Sequence, residues 1–185
     1  PFSMILISEY DESTASMIRK VGVGIPLEAL EELKAHTPRW SVLQATLRPE
    51  FRLSRSYYIP FEQVPFVFPP ELHSVVLTPF DAVRTRVGNA WHPEDTLVVP
   101  LLTAEGEPLG LISVDEPRDG RIPTRGIIES LEIFANQAAT AIQNARLLQR
   151  RIRDLEMINT VGQVISTKLD YRNLLEKIYA LEKIR

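Results

Sequence analysis

The sequence contains no cysteine. That absence excludes disulfides, zinc–thiolate sites, thiol nucleophiles and any chromophore attached through a thioether. Proline is missing from residues 124–185, all 14 prolines lying at or before Pro123, and seven of the eight glycines lie at or before Gly126. No apolar run approaches the roughly 18 residues of a membrane span, and no signal peptide opens the chain. Charge of one sign is also lacking: 21 basic residues stand against 24 acidic ones, for a net charge of -3 and a pI near 5.7. Neither nucleic acid nor a membrane surface is therefore an expected partner. A reducing cytoplasm is the default expectation, although a zero cysteine count fits any compartment. Histidine is scarce as well. His36, His73 and His92 show no i, i+4 pair and no H-E-x-x-H motif, so they read as surface or loop residues rather than metal or haem ligands.

What is present suits one ordinary domain with a real core and a short appendage: 185 residues, 44% of them apolar and 24% charged. The chain starts at Pro1 and ends inside a helical pattern, so it reads as a piece of a longer protein. Its charge divides with its punctuation. Residues 1–123 carry a net charge of -6 and residues 124–185 a net +3. The first part reads as strands and turns, the second as long helix.

Alternating apolar runs predict strands at Met4–Glu9 and Ser16–Gly22, joined as a hairpin at Asp11-Glu12-Ser13. Pro26 opens a helix with Leu27, Leu30 and Leu33 on one face, stopped by Thr37-Pro38. Leu53–Ile59 reads as a further strand. Six prolines then mark an irregular stretch from Pro60 to Glu94, long for a compact domain and of the kind that lines sites. Thr96–Leu102 and Leu109–Asp115 flank a Gly-containing loop and form the strongest hairpin signal. Pro100 places its strand at an edge or a bulge. These strands belong to one mostly antiparallel sheet, because no strand–helix alternation repeats. From Thr124 the period becomes helical. Leu131, Ala138, Ala145 and Ile152 fall at one heptad seam position; Phe134, Ala141, Leu148 and Leu155 fall at the other. The small alanines allow close approach of a sheet or a second helix. Asn159 shares the position of Ile152, where a buried asparagine sets register, although a solvated one is the simpler reading. Asp170 looks like the N-cap of a new helix.

At Asp95–Arg150 the residues carry a family resemblance. DTLVVPLLTAEGEPLGLISVDEPRDGR followed by LEIFANQAATAIQNARL resembles the C-terminal half of a GAF domain, as found in bacterial sensor histidine kinases and diguanylate cyclases. The N-terminal half fits through its two strands and the Gly24-Ile25-Pro26 helix entry. The resemblance implies an α/β (α+β) fold: a central antiparallel sheet flanked by helices, with a long C-terminal signalling helix. It implies a sensory domain over residues 1–150 and, over 151–185, a linker helix with the start of a following GAF or output module. It further implies small-molecule sensing in a signal-transduction protein of the two-component type, dimeric through the C-terminal helix. The N-K-x-n-F-x-x-x-D-E pattern of cyclic-nucleotide-binding members is missing.

The individual sites are weighed against plainer readings. Asp115, Glu116 and Asp119 form an acidic group after a strand, which suits acid–base chemistry or a cation; Asp-Glu-Pro and Asp-Gly are equally ordinary turns. Ser113 lacks the Gly-x-Ser-x-Gly context of a nucleophile. Gly22-x-Gly24 and Gly106…Gly110 are not phosphate loops. No catalytic or metal constellation emerges, so an enzyme is not expected. The expected ligand site mixes aromatic walls with polar groups: Tyr57, Tyr58, Phe80, Trp91 and Asp95, with Ser113 and Asp115 from the adjacent strand. Two carboxylates there suit a cationic or hydroxyl-rich ligand better than an anion, unless Arg84 or Arg86 intervenes. The rival reading is a ligand-free dimerisation module in which the same aromatics fill the core.

Overall fold

The computed structural model describes residues 1–69, 72 and 85–182, with side chains as far as 165 and at 171. In chain order the elements are β1 (Phe2–Asp11), β2 (Ser16–Val23), α1 (Leu27–Ala35) and α2 (Trp40–Thr46). A short 3-10 turn at Pro49–Phe51 leads to β3 (Arg52–Leu53), β4 (Ser56–Ile59) and α3 (Val64–Val67). Then come β5 (Thr96–Leu102), β6 (Pro108–Pro117) and α4 (Arg125–Glu182). The six strands form one sheet in the order β2-β1-β6-β5-β4-β3. Every neighbouring pair is antiparallel, as the two hairpin signals predict.

Two predicted strands needed adjustment. Leu53–Ile59 is a tight β3–β4 hairpin rather than one strand, because Ser54 turns the chain at φ +61 with Leu53 paired to Ser56. β5 is interior, yet Pro100 fits it. β4 pairs with β5 at Thr96–Val98, so among the described residues the only strand neighbour at Pro100 is β6, and the register shifts just beyond, between Leu101 and Leu102. The missing N–H falls on a locally open edge. Gly24, at φ +75, carries the chain from β2 toward α1. A Cβ there would run into the Ser3 carbonyl oxygen, so only glycine fits.

Two compact units divide the chain, Pro1–Ile142 and Gln143–Arg185. In the first, side-chain alternation sorts the sheet into two faces. Leu97, Val99, Ile112 and Val114 pack under Ile128, Leu131, Ala135 and Ala139 of α4. These helix positions repeat at i, i+3 and i+4, the stripe of a helix lying on a sheet. Of the heptad positions, Leu131 and Ala138 pack on the sheet, the close approach that the small alanines allow, and Phe134 is exposed. On α1 only Leu33 of the expected stripe is buried; Leu27 is exposed.

The second unit is helix. Leu148, Ile152, Leu155, Ile158, Val161 and Ile165 are all exposed on it. The backbone stays helical through Asp170, so that residue caps no new helix. No described helix is long and apolar enough to cross a membrane.

Candidate ligand cavity

The alternate positions of the same strands face away from α4. Met4, Leu6, Val98, Leu111 and Ser113 share this second face, and with Arg19 of β2 they floor a cavity of about 110 Å³. Leu33 of α1 and Leu43 and Thr46 of α2 roof it. A space of that size is comparable to one that admits a single aromatic ring. Most of the lining is apolar and a few polar groups converge on it, the usual make-up of a small-molecule site.

Three of the residues expected from the sequence line it: Asp95, Ser113 and Asp115. Tyr58 and Trp91 pack against the α4-side core, their rings 6.0 Å apart. Tyr57 packs beside Met17, Leu43 and Val98 without lining the cavity. Phe80 lies outside the described residues, as do His73 and Arg84.

Asp95 is committed. Its side chain has no exposure. Oδ1 accepts from Phe61 N (2.9 Å) and Arg86 Nη2 (2.6 Å); Oδ2 accepts from His92 N and Arg86 Nη1, both at 2.8 Å. Arg86 also reaches Glu62 at 3.3 Å and lies over the Phe61 ring. His92, read from sequence as a surface or loop residue, is in fact buried and stacks on Phe61 with centroids 3.8 Å apart. Asp95 therefore ties three segments together, and Arg86 cancels its charge.

Asp115 is less well compensated. Its Oδ1 accepts from Trp91 Nε1 (2.8 Å) and Glu116 N (2.6 Å), but burial outweighs both and pushes its pKa up to about 6. The unfolded value is about 3.9. A carboxyl group raised on folding contributes stability that is complete below the unfolded value and is lost as pH rises through the folded one. Asp115→Asn is thus expected to raise the melting temperature at pH 7.5, by at most about 3 kcal/mol equivalent, and to leave it unchanged at pH 3. Calorimetry across that range checks this. An equal shift at both pH values counts against it.

Arg19 and Glu132 were not singled out from the sequence. Arg19 is 5% exposed, lines the cavity, and donates from Nη1 to Ser8 Oγ at 3.2 Å. Its signal was available: it stands two residues after the fully buried Met17, hence on the same strand face. Glu132 of α4 is 7% exposed and accepts from the β3–β4 turn. No sequence pattern distinguishes it from the solvated glutamates around it.

An antiparallel sheet with a helix on one face and a helix-roofed cavity on the other defines a small α+β module. A model of the GAF domain matches residues 7–142, and the chain belongs to that family. No curated protein matches the chain. Among solved structures it is similar to a GAF domain/HD domain protein from Geobacter sulfurreducens, at 13% identity and a TM-score of 0.55. That likeness covers 79% of this chain and 83% of the other. It is also similar to a methyl-accepting chemotaxis protein, residues 122 to 287, at 19% identity and a TM-score of 0.50, covering 80% of this chain and 81% of that one. At such identities these likenesses show the fold.

Proposed function

We propose that this GAF domain is a non-catalytic, cytoplasmic small-molecule sensor in a multidomain signal-transduction protein, of the histidine kinase or diguanylate cyclase type. It relays ligand state through α4 to a downstream output module. The observation that carries this reading is the cavity set back to back with the α4 seat. Val98 and Ser113 line the cavity, while Val99 and Ile112 beside them on the same strands pack in the α4-side core. A ligand that moves β5 or β6 shifts the surface on which Ile128 and Leu131 rest. Its differential affinity for two seats of the helix is what couples the two.

The partner of the second unit is a second copy of the same helix. An apolar stripe repeating with Leu148, Ile152 and Leu155 is self-complementary. Native mass spectrometry of protein purified from its host reads both features. The expected spectrum is a dimer carrying a small adduct. Ile152→Glu with Leu155→Glu is expected to give monomers that keep the adduct, and Leu111→Trp, which fills the cavity, dimers without it. Adduct-free dimers from the unaltered chain would favour the rival reading, a dimerisation module with no ligand.

A further inference from the structure

We propose that the cavity takes a small monocarboxylate with a short apolar body, its carboxylate paired with the Arg19 guanidinium; this rests on the sensing reading above. The sequence favoured a cationic or hydroxyl-rich ligand on the strength of two carboxylates. The structure reverses that balance, because Arg86 already neutralises Asp95.

Arg19 is the poorly matched charge of the domain. Its side chain is buried, yet it sits in no ion pair, and no carboxylate of the described residues lies within 4.0 Å of it. A guanidinium presents five donors and accepts none. One of them reaches a neutral hydroxyl at 3.2 Å, and Nε is buried without an acceptor. Desolvation lowers its pKa to about 10, which still leaves a full positive charge at neutral pH. Of the other buried charges described, Asp95 is answered by Arg86 and two backbone amides and Glu132 by four donors, and Asp115 accepts from Trp91 and Glu116 N. An unanswered charge in an apolar setting is costly, and methionine or leucine would pack there more cheaply. The charge is complementary to an anion entering the cavity that Arg19 lines.

The class of anion follows from shape and charge. The guanidinium fork matches a planar carboxylate in a bidentate pair. One cation, with Asp115 on the same face, does not balance a dianion. About 110 Å³ walled by Leu6, Leu33, Leu43, Val98 and Leu111 leaves room for only a few carbons beyond the headgroup.

The test compares isobutyrate and isovalerate with their neutral amides and with inorganic phosphate, at constant ionic strength and pH 7.5, by thermal shift and calorimetry on the whole chain. Both acids are expected to bind, and each amide to bind at least about 10-fold more weakly. Arg19→Met is expected to weaken the acids roughly 30-fold or more, and Arg19→Lys by less. Without added acid, Arg19→Met is expected to melt at or above the unaltered protein, since it removes an unanswered buried charge. Amides equal to acids, or acids indifferent to Arg19→Met, would overturn the carboxylate and leave the sensing cavity standing. Arg19-dependent binding of phosphate in preference to the acids would overturn it as well. So would a chain that binds none of the three while Arg19→Met melts lower, the behaviour of a structural arginine. The sensing reading itself falls only with the adduct in native mass spectrometry.

Discussion

Glu132→Ala is expected to lower the unfolding free energy by about 4 kcal/mol, a large share of the 5–15 kcal/mol typical of a domain. Glu132 lies on α4, while its partners lie 76 to 78 residues earlier in the chain. Its Oε1 accepts from Arg55 N (2.8 Å), Ser56 N (2.9 Å) and Ser56 Oγ (2.7 Å), and its Oε2 from Ser54 Oγ (2.9 Å). Arg55 reaches the same helix through Asn136 at 2.9 Å. Truncation strands two backbone N–H groups, one of them on the fully buried Ser56. Hydrogen bonds to a charged acceptor are each worth about 1.5–3 kcal/mol. It also releases Ser54, whose left-handed backbone the carboxylate helps to hold. Glu132→Gln keeps an acceptor for the two amides and should cost about half as much.

The same carboxylate sets a pH dependence opposite to that of Asp115. Burial alone would raise its pKa, but donation from Ser56, Arg55 and Ser54 outweighs burial and holds it below the usual glutamate value. A depressed group contributes stability that is complete above the unfolded value of about 4.3 and is lost as pH falls through the folded one. The gap between Glu132→Ala and the unaltered chain should therefore be constant from pH 6 to 8 and close progressively below pH 4. Urea unfolding at several pH values measures it. A gap under about 1 kcal/mol at pH 7 would show that the clamp is dispensable.

The contrast between Glu132 and the hairpins shows what a sequence of this kind discloses. Strand alternation is local, so β1, β2, β5 and β6 were legible within about two residues, as was the antiparallel sheet. Asp95 and Asp115, expected together from adjacent strands, both line the cavity. What alternation cannot supply is the identity of a distant partner. Tyr58 at a strand end and Trp91 in the long loop both suit a site shared with the carboxylates, yet strand parity sends Tyr58 to the α4 face and Trp91 packs beside it. Heptad spacing at Leu131 and Ala138 fitted a seam and a sheet contact equally, and the sheet lies closer along the chain. Arg19 was passed over because a lone arginine in a strand reads as solvent-facing. Its significance rests on the parity with Met17 and on the roof that α2 places above it.

Asp95→Ala is expected to cost about 3–5 kcal/mol, the range for breaking a buried pair on one side only. Asp95 is the point at which the chain after β4, the segment from Arg86 to His92, and the start of β5 are joined. Removing the carboxylate leaves Phe61 N and His92 N without an acceptor. Among the described residues, it also leaves Arg86, 15% exposed, with Ala90 O at 2.8 Å and the longer contacts to the exposed Glu62. Asp95→Asn should be nearly as damaging. Both carboxylate oxygens face two donors each, so the amide nitrogen must point at N–H groups whichever way the side chain flips. The decisive measurement is a double-mutant cycle. Arg86→Met alone strands the buried aspartate and should also be costly, while the pair Asp95→Ala with Arg86→Met removes both charges together. The double variant should be more stable than the sum of the two losses by at least about 1.5 kcal/mol. It should still fall short of the unaltered chain, because the two amides remain unanswered. Amide exchange locates the damage. Protection at Phe61 and His92 should drop in Asp95→Ala while Ile112 and Val114, in the β6 core, keep theirs. Additive losses in the cycle, or uniform exchange across the sheet, would mean that Asp95 is one core residue among many rather than the joint between these segments.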